Sequence, residues 1–185
     1  VDEVMEKLIA LGKVREAIIV ASTSDKFERS LEYHVYKKGR QYARFVVDTL
    51  KPYIDKNFRT LPDRKNTFLM GSSFGALISF TILWEHSDVF SKAAGLSFPA
   101  HAHNNYIFDF VKNEPIPSQE VYFWMDHGLY GIDSRYAPHG ENWVNHLLGL
   151  GFPSEQLEFR TFEYANHTEL DWAQRVHLPL QYLLN

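Results

Sequence analysis

The run Thr67-Phe68-Leu69-Met70-Gly71-Ser72-Ser73-Phe74-Gly75 decides the fold. Thr67 to Met70 reads as a short apolar strand, and Ala76 to His86 reads as a helix. Between them Gly71-Ser72-Ser73-Phe74-Gly75 fits G-x-S-x-G. That spacing suits a serine at the tip of a sharp strand-to-helix turn. The small residues two positions away on each side let strand and helix approach closely, and the helix start offers N–H groups and a positive dipole end to a developing oxyanion. Ser73 is the candidate nucleophile and the N–H of Phe74 the expected first oxyanion donor. Ser72 would point away from the tip.

Outward from this turn, helix-period and strand-period segments alternate. Val4, Leu8 and Leu11 share a helical face that Gly12 ends. Ala17-Ile18-Ile19-Val20-Ala21 is an uninterrupted apolar run rich in β-branched residues, and it predicts a strand buried on both faces. A helix after Gly39 carries an apolar stripe from Tyr42 to Ile54, with a kink expected at Pro52. Further strands are expected at Ala93 to Ser97, Val121 to Met125 and Leu157 to Tyr164. A polar loop holding His101 and His103 follows the first of these, and a helix around Trp143 and Leu147 separates the last two. Thr168, with Asp171 three residues on, caps a final helix. Five strands separated by helices imply a parallel α/β sheet, whose ligands bind beyond the carboxyl ends of the strands.

A serine needs an adjacent base to attack near neutral pH. In the chain order Ser…Asp/Glu…His the histidine should follow the last strand, and His167 does. The acid should follow the strand that ends at Met125. Asp133 is favoured, Asp126 at the strand end is the alternative, and Glu141 is third. His101, His103, Asp126, His127 and His139 could instead hold a metal if three of them converged.

Composition narrows the function classes. The chain has 185 residues, 45% hydrophobic and 15% aromatic, which is enough for one domain over residues 1–185 with a real core. A net charge of −4 offers no basic face to nucleic acid or anionic membrane, and no apolar run is long enough to span a bilayer. The absence of cysteine removes disulfides, thiol catalysis and thiolate metal sites. The chain opens on Val1, so residues upstream are expected to have been removed or left out.

Several segments together resemble one family. These are Tyr42 to Asp55, Leu61-Pro62-Asp63-Arg64 before the turn, Val89-Phe90-Ser91-Lys92 after it, Met125-Asp126-His127-Gly128 with Ile132-Asp133, and His167-Thr168-Glu169 with Trp172-Ala173-Gln174-Arg175. The chain resembles the putative-esterase family of α/β-hydrolases, which includes enterochelin-type siderophore esterases, feruloyl esterases, S-formylglutathione hydrolase and mycolyltransferases. The resemblance is closest to the enterochelin-esterase-like branch. It implies an α/β-hydrolase fold, a mostly parallel sheet flanked by helices, and a triad of Ser73, His167 and Asp133. Two positions depart from the pattern: Ala76 stands where a second glycine is usual, and Leu129 stands where threonine often follows Gly128.

Relatives also carry more sheet at the front. One of those strands would lie between Ala17–Ala21 and Thr67–Met70, and its loop normally supplies the second oxyanion donor. The expectation is therefore a fold whose N-terminal strands are missing, with exposed edges open to homo-oligomer formation. The expected activity is hydrolysis of a small polar or aromatic ester through an acyl-enzyme, without a cofactor. The rivals are an acyltransferase using the same triad and a non-catalytic binding module on the same fold.

Overall fold

The computed structural model describes residues 1–24 and 27–185. Its centre is a four-stranded parallel sheet in the order β1 (Phe68–Ser72), β2 (Lys92–Leu96), β3 (Tyr122–Gly128), β4 (Leu157–Phe162). Each strand lies beside the next in sequence, and the register sets Ser72 opposite Leu96 and Gly95 opposite Met125. All four strands therefore end along one rim.

Alternation along the strands feeds two cores. Ala93, Phe123 and Met125 pack on one face, with the helical stretch 35–57 (α2), α3 (Phe74–Glu85), α4 (Ala102–Asn113) and α5 (Ala137–Gly149). Ala94 and Trp124 pack on the other, with α1 (Asp2–Ala10) and the C-terminal helix α7 (His177–Leu184). Between β4 and α7, the short helix α6 (Glu169–Arg175) starts at Thr168, whose hydroxyl accepts the N–H of Asp171 at 3.2 Å as the capping pattern predicts. Helix α3 is apolar all round and buried from Ala76 to Trp84, as expected of a helix in the middle of a layer.

Three expectations need correction. Residues 17–21 form no strand, and Ile18, Ile19 and Val20 are 50%, 49% and 43% exposed. A β-branched run becomes a strand only when a ladder partner satisfies its backbone, and β1 pairs with β2 alone among the described residues. The sheet accordingly has four strands rather than five. Second, the stretch after His101 is a helix rather than a polar loop. Its left-handed start at His103, Asn104 and Asn105 (φ 51°, 60° and 60°) hides the helical pattern that Tyr106, Ile107, Phe110 and Val111 then supply. Third, Leu11 lies past the end of α1 and is exposed, and Met5 joins Leu8 as the buried face. Pro52 lies inside the stretch 35–57, directly after a segment over Phe45–Leu50 where the helix winds wide.

Candidate active site

At the end of β1 the chain turns into α3 through Ser73, whose φ of 55° and ψ of −128° lie outside the regions open to ordinary L-residues. The turn is held by neighbours on both sides. Ser73 N–H donates to the Leu96 carbonyl of β2 at 2.9 Å, and a side chain at Gly71 would run into the backbone of Gly75. A side chain at Gly75 would meet only Arg29 Nη2, at 3.9 Å, so the first glycine of the pattern carries the steric demand. The Ser73 carbonyl accepts from Ala76 N–H at 2.8 Å and Leu77 N–H at 3.4 Å. Among the described residues, the N–H groups of Phe74 and Gly75 donate to no backbone carbonyl, leaving the first turn of α3 open to an acceptor.

Two strands farther along the rim, in the segment after β3, Asp133 is fully buried. Its Oδ1 lies 2.7 Å from His167 Nδ1, and its Oδ2 accepts from Ser97 Oγ at 2.5 Å and from Gly128 N–H at 2.9 Å. Burial acts to raise this carboxyl, but the hydrogen bonds from His167, Ser97 and Gly128 outweigh it and hold its pKa below the usual carboxylate value. With Nδ1–H donating to a carboxylate, the imidazole presents Nε2 as its acceptor. His167 is fixed further by its own N–H, which donates to Asn166 Oδ1 at 2.7 Å, and by edge-on contacts with Trp172 and Tyr136 at 5.0 and 5.4 Å. The structure thus brings Asp133 and His167 into direct contact. Ser73 stands on the same rim, and its hydroxyl makes no hydrogen bond to the imidazole among the described residues. Such bonds are often long in ligand-free proteins and tighten around substrate.

Asp126 is engaged elsewhere. Its Oδ1 accepts from Arg175 Nε and Nη2 at 3.2 and 3.1 Å and from Ser97 N–H at 3.0 Å, and its Oδ2 accepts from Trp124 Nε1 at 3.4 Å. Burial keeps this carboxyl above its ordinary pKa in spite of Arg175. Glu141 is exposed on α5. Ser97, which no sequence motif singles out, joins the two carboxylates. It is fully buried with φ 46°, and its hydroxyl accepts from Trp172 Nε1 at 2.8 Å and Arg175 Nη2 at 2.9 Å. Two donors aimed at one hydroxyl leave its proton for Asp133 Oδ2. A usable signal did exist for Trp172 and Arg175, which sit three apart on the helix after His167 and so share a face turned to the rim.

The five residues of the metal alternative go separate ways. His101 lies against Tyr136 and His139, with centroids 4.6 and 4.9 Å apart. His103 lies against His34 and Phe74 at 4.7 and 4.9 Å. His127 Nδ1 bonds the Gly128 carbonyl at 2.8 Å, and Asp126 faces Arg175. Among the described residues no three such groups converge.

With that geometry in view, residues 1–175 match the family described as Putative esterase. The chain belongs to this esterase family. It is 27% identical over 176 residues to an endo-1,4-beta-xylanase/feruloyl esterase of Xylanibacter ruminicola, a match covering 92% of this chain and 22% of that protein. Among solved structures it resembles the enterochelin esterase of Shigella flexneri, with TM-score 0.79 and 15% identity over 95% of this chain and 44% of that one. It also resembles a ferulic acid esterase, with TM-score 0.71 and 22% identity over 98% of this chain and 75% of that one. These likenesses give the α/β-hydrolase fold, and the chain spans less than half the length of the Xylanibacter and Shigella relatives. Within the esterase family pattern, Ala76 is accommodated because Gly95 faces it: a Cβ on Gly95 would stand 2.8 Å from the Ala76 methyl.

Proposed function

We propose that this chain carries the reacting groups of a serine carboxylic-ester hydrolase, with Ser73 as nucleophile, His167 as general base and Asp133 orienting the imidazole. The observation that carries the reading is the 2.7 Å Asp133–His167 hydrogen bond, formed on the rim where the strained Ser73 turn ends. Ser73 Oγ adds to the ester carbonyl while His167 Nε2 takes its proton. The tetrahedral oxyanion is met by the Phe74 N–H at the open start of α3. Collapse expels the alcohol, which leaves with the proton from His167, and water then repeats the sequence to release the acid. Asp133 remains ionised throughout, as its depressed pKa allows, and stabilises the imidazolium.

Hydrolysis of a chromogenic acyl ester by the full-length protein tests this. Ser73→Ala is expected to lower kcat by about a thousandfold or more, and fluorophosphonate labelling is expected to disappear with it. Wild-type rates in Ser73→Ala would show the reading to be wrong. Product analysis with added alcohols distinguishes hydrolysis from acyl transfer to an acceptor.

A further inference from the structure

We propose that Arg29 binds a negatively charged group of the ester substrate beside the Ser73 turn, an inference that rests on the ester-hydrolase reading above. Three arginines are withdrawn from full exposure: Arg29, Arg64 and Arg175. Arg64 donates to the carbonyls of Ser87, Phe90 and Glu120, and Arg175 to Asp126 and Ser97. Arg29 differs. Among the described residues its guanidinium has no carboxylate or carbonyl partner, and only ring faces support it, with Cζ 5.2 Å from the Tyr33 ring centroid and 6.0 Å from that of Phe74. The neighbouring Glu28 is paired with Lys38 instead.

Position gives this vacancy its meaning. Arg29 Nη2 lies 3.9 Å from where a side chain on Gly75 would begin, against the turn that presents Ser73. The open first turn of the twelve-residue helix α3 adds its own positive end at the same place. A planar fork of five donors, resting on two aromatic faces and with no carboxylate or carbonyl partner among the described residues, suits a carboxylate, phenolate or phosphate carried by the substrate close to its ester bond. A neutral ester would leave the guanidinium to water alone.

Two chromogenic substrates test the inference in the full-length protein: 4-nitrophenyl acetate, which is neutral, and the 4-nitrophenyl monoester of succinate, which carries a carboxylate. Arg29→Gln is expected to lower the ratio of kcat/KM for the charged ester over the neutral one by about tenfold to a hundredfold, mainly through KM. Arg29→Lys is expected to fall between, since it keeps the charge and loses the fork. Raising NaCl to about 0.5 M is expected to shrink the wild-type preference. A ratio that stays put overturns the proposal, and so does an equal loss of kcat on both esters, which would make Arg29 a donor to the oxyanion instead. Calorimetric binding of the succinate ester to Ser73→Ala, with and without Arg29→Gln, needs no turnover. It reads anion recognition even if the hydrolase reading fails, and equal affinities there also overturn the proposal.

Discussion

Along β3 every residue from Phe123 to Gly128 is buried, whereas β1 is only half-buried along its whole length. The contrast extends to the segments around each strand. Behind β3, two buried aspartates, a buried arginine and a buried serine are hydrogen-bonded to one another, and His167 is tied to that network through Asp133. In front of β1, Ile18 to Val20 lie open to solvent instead of pairing into the sheet. Ser73 stands on the boundary, its backbone anchored to β2 by the Leu96 carbonyl. The imidazole is therefore oriented by the buried half of the molecule, and the nucleophile borders the half whose outer strand, β1, pairs with β2 alone among the described residues. Substitutions should separate the two regions by their cost.

The largest effect is expected at Arg175. Arg175→Met removes the only cation bonded to the buried Asp126 among the described residues and takes one donor from Ser97. Breaking a buried pair from one side typically costs about 3–5 kcal/mol, because a charge is left uncompensated in a poor dielectric. Urea unfolding should show that loss. The double variant Arg175→Met, Asp126→Leu should recover much of it, since both charges are then gone. A single variant costing under about 1 kcal/mol would erase the distinction between the back and front of the sheet.

Ser97→Ala should cost less, about 1–3 kcal/mol, by stranding Trp172 Nε1 and by leaving Arg175 Nη2 with Asp126 Oδ1 as its remaining acceptor. It also has a signature in pH. A carboxyl whose folded pKa is depressed, as that of Asp133 is, contributes stability above its unfolded value, and that contribution is lost as pH falls through the folded one. Deleting Ser97 Oγ removes one of the hydrogen bonds holding that pKa down, so the stability lost on acidification should be smaller in the variant and its loss complete at a higher pH. An unshifted acid limb would mean that Ser97 does not act through Asp133.

How much of this was readable in advance follows from where each residue gets its conformation. The Ser73 turn, the strands flanking it and the Thr168 cap depend on short-range spacing, so the sequence carries them directly. Asp133 could be favoured over Asp126 only by its place in the loop. Their different partners arise from Ser97, Trp172 and Arg175, which are brought in from three other segments by the parallel register. Residues 17–21 show the opposite case. Their local preference for strand is strong, but a strand also needs a neighbour, and no neighbour is written into a pentapeptide. Helix α4 was obscured by Asn104 and Asn105, residues that tolerate left-handed backbone and therefore read as loop.

The smallest expected effect lies at Ile19. It is half exposed and outside the sheet, so Ile19→Lys should change stability by no more than about 0.5 kcal/mol in urea unfolding. Its consequence should appear in association instead. An exposed apolar run offers a surface to a second copy, β1 offers a backbone edge unpaired among the described residues, and a lysine in the run opposes such association by charge. Light scattering over a concentration series should therefore show less self-association in Ile19→Lys than in the parent chain, while Ile107→Lys, placed in the buried core, should unfold the protein. If Ile19→Lys destabilised the fold as Arg175→Met does, residues 17–21 would have to be packed in solution. The front of the molecule would then be as closed as its back.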